Sequence, residues 1–281
     1  MWPLNGSSHC AGSLLDLWRN AGMPCTFADF DSTGYCRRLE TKHAHKMLNK
    51  PEVMISPSRW MHAQVQKATF MAHKKSFHVT NCIDLDVFLP AKDKQAAKKA
   101  VGLPRGKTIL LFVSSWGNSP VKGFDLLHEA LSKLPESAKK NYAIAVLGGH
   151  TGEPEIHGMK AHYLGNKSGD NELARVYQAA DVFLCPSRED NYPNTVVEAS
   201  ACGIPTVAFD VGGLPDLIEH GKSGMLAQPY EVDEFAACVI DTLRNHEKMG
   251  AAARNRTLEN NGAEDHARFL LELYKSCLPG G

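Results

Sequence analysis

The sequence predicts an α/β fold: a parallel sheet with helices on both faces. Three observations lead there. From Lys107 onward, apolar runs of four to six residues alternate with segments of helical period, at the 10–15-residue spacing of βαβ units. The runs stop at glycine or proline, as at Gly148-Gly149, Pro186 and Gly203. The chain has 281 residues, 43% of them hydrophobic and 22% charged, enough for about two domains with buried cores.

The elements follow in order. Residues 1–88 are irregular and rich in Cys, His and Met. Val53-Met54-Ile55 reads as a short strand, Ser56-Pro57-Ser58-Arg59-Trp60 as the loop after it, and 60–70 as a helix. Phe77-His78-Val79 is a second short strand. Thr108–Val113 is a buried strand. Gly123–Leu134 is a helix with Phe124, Leu127, Ala130, Leu131 and Leu134 on one face. Ala143–Leu147 and the short His162–Leu164 are strands, with Asn171–Ala180 a helix and Val182–Cys185 a strand. Thr195–Cys202 is a helix ended by Gly203, and Pro205–Phe209 a strand. After Gly212-Gly213 come a short helix through Leu217, a strand at Met225-Leu226, and helices near 231–245, 247–259 and 263–276. The last helix puts Phe269, Leu270, Leu273 and Tyr274 on a packing face. The lysine pairs 98–99 and 139–140 read as solvated helix faces. Right-handed crossovers bring the strands' C-terminal ends to one edge, outside which ligands bind.

Composition narrows the function. Lys+Arg and Asp+Glu are both 31, a formal net charge of zero, which argues against a general nucleic-acid binder. No apolar run is long enough to span a bilayer. The N-terminus has neither a basic region nor a sustained apolar one, so no secretory signal is expected. The eight Cys, with no CxxC pair, then read as reduced thiols of a cytoplasmic protein.

The segment from Pro186 to Asp216 carries the chemistry. A strand ends at Cys185, a polar loop follows, and a helix begins near Asn194 or Thr195. Its first turn has free backbone N–H groups and the positive end of the dipole, an anion site at the sheet's ligand edge. Asp190 in the loop and Glu198 in the helix flank that point. A carboxylate repels a diphosphate but accepts hydrogen bonds from sugar hydroxyls.

This segment, with Glu198-Ala-Ser-Ala-Cys-Gly-Ile-Pro-Thr-Val and the Gly212-Gly213-Leu-Pro turn, resembles the signature of retaining glycosyltransferase family four, of the GT-B fold. Glu189-Asp-Asn-Tyr-Pro-Asn-Thr-Val-Val-Glu198-Ala is similar to the subgroup of bacterial surface-polysaccharide assembly. Val121-Lys-Gly-Phe-Asp125, Ser56-Pro-Ser-Arg-Trp60, Val79–Phe88 and Met1-Trp-Pro-Leu through His9 resemble further family elements. The resemblance implies a complete Rossmann-like C-terminal domain over 89–262, a partial N-terminal, acceptor-side domain over 1–88, and a C-terminal helix and tail over 263–281. It implies transfer of a sugar, with retention, from a nucleotide-diphosphate-sugar donor to a sugar or lipid-linked acceptor in polysaccharide or glycolipid biosynthesis. Lys122 would stabilise the leaving diphosphate. Asn194, Thr195 and Val196 would offer amides to phosphates and sugar, Asp190 would hold hydroxyls of the transferred sugar, and Glu198 those of the ribose. Gly165 and Asn166 would touch the base. Asn191, Tyr192, Pro193 and Gly117 complete the implied donor-binding set, and His9 stands near the family's acceptor-side His.

The chain departs from the family pattern in three places. Asp190 stands where Glu is usual, with Glu189 adjacent. The loop Ser114–Pro120 lacks the usual Arg. By analogy with a whole doubly wound unit, about 90 residues of the N-terminal domain are expected to be absent, which admits a fragment, a donor-binding module, or a second chain completing the domain. No metal, cofactor or nucleic-acid partner is expected: Asp29-Phe-Asp31 and Asp84-Leu-Asp86 lack the context of a metal-binding DxD, and the scattered Cys and His lack finger spacing. Peripheral contact with the inner membrane face is compatible with a lipid-linked acceptor. A non-catalytic nucleotide-sugar-binding module or truncated remnant is the competing function, and a nucleotide-sugar epimerase a more distant one.

Overall fold

The apolar runs become strands buried on both faces, as parallel sheets require. The computed structural model describes residues 53–67, 74–114, 120–149 and 151–277, and the chain divides into two units between Val79 and Thr80. His9, Gly117, Met1–Leu4, Asp29–Asp31, His43 and His45 lie outside the described residues.

In the first unit β1 (Met54–Ser56) pairs in parallel with β2 (Ser76–His78), Met54 opposite Ser76. Helix α1 (Arg59–Lys67) starts behind Ser58, whose Oγ accepts the Met61 amide at 3.0 Å, an N-cap bond. Met61 and Val65 are its buried face.

In the second unit the elements are α2 (Lys94–Ala100), β3 (Thr108–Ser114), a 3₁₀ turn at Pro120–Lys122, α3 (Phe124–Ser132), α4 (Glu136–Lys139), β4 (Tyr142–Gly148), β5 (Glu155–Ile156), β6 (Met159–Gly165) and α5 (Asp170–Ala179). There follow β7 (Val182–Cys185), α6 (Asn194–Ala201), β8 (Thr206–Phe209), α7 (Leu214–Leu217), β9 (Gly224–Ala227), α8 (Val232–Asn260) and α9 (Ala263–Cys277). The sheet order is β5-β6-β4-β3-β7-β8-β9. All pairs are parallel except β5 with β6. Without the antiparallel edge strand this is the doubly wound order 3-2-1-4-5-6, so the switch point lies between β3 and β7. Leu110 pairs with Val182 and Phe112 with Leu184 across it.

The core runs along both sheet faces. Ile109 to Phe112 are at most 1% exposed. Leu127, Ala130, Leu131 and Leu134 of the expected α3 face are buried, and Phe124 stacks on Phe112 at 5.4 Å between centroids. Tyr177 of α5 is fully buried between Phe88 and Phe183. The two helices expected over 231–259 are one run broken at Asn245, whose φ of −129° and ψ of 17° are non-helical.

Several expectations change. Residues 80–88 pack with the second unit: Phe88 is 2% exposed in its core, and Arg254 donates to the carbonyls of Phe88 and Ala201 at 2.7 Å each. Lys98 and Lys139 are not solvated. Each is 3% exposed. Lys98 pairs with Asp181 at 2.7 Å and donates to the Lys107 carbonyl, because Asp181 also takes the Ile109 amide at the start of β3. Lys139 turns back on Glu136 and the Ser132 carbonyl. On α9 only Leu273 is buried, while Phe269 and Tyr274 are exposed. Asp84 of the DxD string caps its own turn, accepting the amides of Asp86 and Val87. Among the described residues no helix is long and apolar enough to cross a membrane.

Candidate functional site

Two loops meet at the C-terminal edge of the switch point, one after β3 and one after β7. A Cβ at Gly123 would stand 2.0 Å from the Pro186 carbonyl oxygen, and Gly123 has φ of 67°, so glycine alone lets the two backbones touch. The Arg188 amide donates to the Val121 carbonyl at 2.9 Å. The Arg188 guanidinium makes a two-pronged bond to Asp125, at 2.8 and 2.6 Å, and a third bond to the Pro120 carbonyl. That guanidinium holds the Asp125 carboxyl below its usual range.

On this frame Lys122 Nζ lies 2.7 Å from Asp190 Oδ2, the two expected residues joined in one ion pair. Burial works against the Lys122 ammonium, but the Asp190 carboxylate beside it more than compensates and raises its pKa. Ser187 Oγ donates to the same carboxylate oxygen at 3.4 Å. Cys185, at the end of β7, stays a thiol, pushed up to about 11 by burial and then by Asp190. The Asp190 backbone is fixed from the far side: its carbonyl accepts the Gly213 amide at 3.0 Å, and a Cβ on Gly212 would sit 2.0 Å from that oxygen. The Gly212-Gly213 pair therefore lets the Asp190 loop seat.

Helix α6 begins at Asn194 behind Pro193. The Val196 amide turns to the Pro193 carbonyl at 3.0 Å, so of the three expected amides those of Asn194 and Thr195 are the ones the helix's own ladder leaves open. Asn194 Oδ1 accepts from Asn81 Nδ2 at 2.8 Å. Tyr192 is not a surface contact. It is 6% exposed, and its hydroxyl accepts from Asn261 Nδ2, which also bonds the Asn81 carbonyl. Sequence reading missed Asn261, the second residue of the Asn260-Asn261 pair between two helices, although it ties the loop to the rest of the unit.

Glu198 makes no hydrogen bond or ion pair with Lys122 or Asp190. It lies half-buried beside the Tyr177 hydroxyl of α5. Burial raises its pKa, the Tyr177 hydroxyl opposes that, and Asp170 adds to the rise. That hydroxyl is shut off from solvent, with the Glu198 carboxyl as its close neighbour. Gly165, with φ of 65°, ends β6, and Asn166 follows it, exposed, on the same sheet edge. Asn191 is half-buried between Asp190 and Tyr192.

Glu189, adjacent to Asp190 in the sequence, is a further acid of this loop. Its Oε1 is buried without a hydrogen-bond partner, and burial, then Asp190, push its carboxyl up to about 7. The Tyr230 hydroxyl bonds the Arg188 carbonyl at 3.1 Å next to it.

A cavity of about 370 Å³ lies at the opposite edge, among Lys94, Lys98, Lys107, Asp181, His246 and Glu247. Its lysines are committed to the Ala180 carbonyl, Asp181 and the Lys140 carbonyl respectively. It is no part of the switch-point site.

A family model described as glycosyl transferases group 1 matches residues 93–258. A D-inositol 3-phosphate glycosyltransferase of Mycobacterium marinum is 34% identical over 202 residues, 68% of this chain and 41% of that protein. D-inositol 3-phosphate glycosyltransferase 2 of Catenulispora acidiphila is 34% identical over 203 residues, 66% of this chain and 45% of that one. The chain thus spans less than half the length of these curated relatives. Among solved structures, sucrose-phosphate synthase of Thermosynechococcus elongatus aligns with a TM-score of 0.72 at 20% identity, over 89% of this chain and 65% of its own. Anabaena Alr3699/HepE in complex with UDP-glucose aligns at 0.70 and 19% identity, over 86% of this chain and 68% of its own. At these identities the structural likeness is one of fold.

Proposed function

The chain belongs to the glycosyl transferases group 1 family, and on that premise we propose that it moves a sugar from a nucleoside-diphosphate-sugar donor to an acceptor, with retention at the transferred carbon. The observation that supports this most is the Lys122–Asp190 pair at the switch point, beside the open amides of α6. An ammonium has three N–H donors. One serves Asp190, and the other two suit the diphosphate oxygens on which charge grows as the sugar departs. The Asn194 and Thr195 amides and the α6 dipole add to that anion site. Asp190 accepts hydroxyls of the transferred sugar while fixing the ammonium. Glu198 takes the ribose hydroxyls, and Gly165 with Asn166 borders the base. Bond breaking runs through an oxocarbenium-like state. A sugar or lipid-linked acceptor in polysaccharide or glycolipid synthesis, reached by peripheral contact with a membrane, completes the reading.

The test is turnover of UDP-glucose, GDP-mannose and ADP-glucose by the purified chain. Lys122→Ala and Asp190→Ala are each expected to lower kcat about 10²–10³-fold, the scale of losing one electrostatic stabiliser. Equal turnover in wild type and both variants would remove this site from the reaction. Donor binding without transfer to any acceptor would favour the binding-module reading.

A further inference from the structure

We propose that Glu189 is a further donor-binding residue, whose carboxyl group, as a neutral acid, donates a hydrogen bond to an oxygen of the bound nucleoside-diphosphate sugar. The inference rests on the donor-site reading above.

The geometry comes first. Both backbone neighbours of Glu189 are pinned: Arg188 through Val121, Pro120 and Tyr230, and Asp190 through Gly213. The Glu189 carboxyl group is carried on this fixed stretch of main chain. Its Oε1 is nevertheless out of solvent and unbonded, while Asp190 and Arg188 on either side are bonded. A buried carboxyl oxygen is costly to leave so, and a turn of this half-buried side chain toward the rim lets a bound ligand satisfy it.

The distribution of cations decides the protonation state. The groups that face Glu189 are Asp190 on its own loop and Tyr230 from the segment after β9. The Arg188 guanidinium is spent on Asp125 and the Lys122 ammonium on Asp190. Among the described residues no cation is paired with Glu189. A carboxylate beside a second carboxylate, and next to an incoming diphosphate, gains from taking up a proton. Burial and Asp190 already push Glu189 up to about 7 in the free protein. The negative donor moves it further in the same direction, so donor binding and proton uptake are linked.

The experiment is calorimetric titration of the purified chain at pH 7 with UDP-glucose, GDP-mannose and ADP-glucose, each in two buffers of different protonation enthalpy. Wild type is expected to take up about half a proton per donor bound, the fraction a group of pKa near 7 lacks at that pH. Glu189→Gln keeps an N–H donor, so it should retain most of the affinity and take up no proton. Glu189→Ala should bind about tenfold more weakly, the scale of one hydrogen bond left unmade. Matching far-ultraviolet spectra and melting in donor-free buffer establish that the variants fold. Donor binding without proton uptake in wild type, or uptake that persists in Glu189→Gln, overturns the inference and leaves the donor site standing. So does a loss in Glu189→Gln as large as in Glu189→Ala. Failure of wild type to bind any of the three donors overturns the donor site and the inference together.

Discussion

Asp190 is held at both its ends: the carboxylate takes Lys122 and Ser187, and the carbonyl takes Gly213. Gly212 exists for that second grip, since any side chain there would enter the Asp190 carbonyl. Gly212→Ala is expected to cost about 1–3 kcal/mol, the range of a strained backbone residue, and to weaken donor binding with it. Urea unfolding and donor titration of the same variant check this, and unchanged values in both would remove the proposed grip. Glu189 makes a prediction on stability. Its carboxyl ionises near the ordinary 4.5 when unfolded and near 7 when folded. Between those values the native state binds more protons, so its contribution falls as pH rises through that window. Glu189→Gln abolishes the fall, and its melting temperature should gain on wild type steadily from pH 5 to pH 8. A constant gap across that range would show that Glu189 does not titrate this way.

The strands β3, β4, β7 and β8 form from runs rich in Ile, Leu, Val, Phe and Ala, and their sequence boundaries agree with the structure to within about a residue, within the usual ambiguity. The break in α8 was equally legible, because two helical patterns separate around Asn245. The two-residue β5 was not, since so short a strand carries no periodicity. Lys98 was misread because a lysine in Lys-Gln-Ala-Ala-Lys-Lys-Ala looks solvated, and its partner Asp181 is distant in sequence. Lys122 and Asp190 were legible as separate site residues through their motifs, whereas the ion pair between them and the open Glu189 oxygen depend on how the neighbouring loops are placed. Lys98 ties helix α2 to Asp181 and to the Lys107 carbonyl. Asp181→Ala would leave that ammonium buried and unpaired, and a loss of about 3–5 kcal/mol is expected from denaturant unfolding. Replacing both partners with apolar residues should recover much of it. A double variant no more stable than Asp181→Ala would argue against an electrostatic cause.

In the second unit the sheet and the long α8 enclose one core, with β3 at its centre. Amide exchange should therefore be slowest in β3, β4, β7 and β8 and faster in α9, which buries only Leu273. Equal protection across α9 and β3 would count against this order. The same centre sets the chemistry, because β3 and β7 are adjacent and their outgoing loops arrive together. Those loops are welded where Gly123 meets Pro186 and where Val121 takes the Arg188 amide. The ammonium and the acid that holds it thus belong to one inherited block, although 68 positions separate them along the chain. A chimera that borrows only one of these loops from a relative would import half of a lock. Retargeting such a protein to a new sugar calls for transplanting both pieces at once.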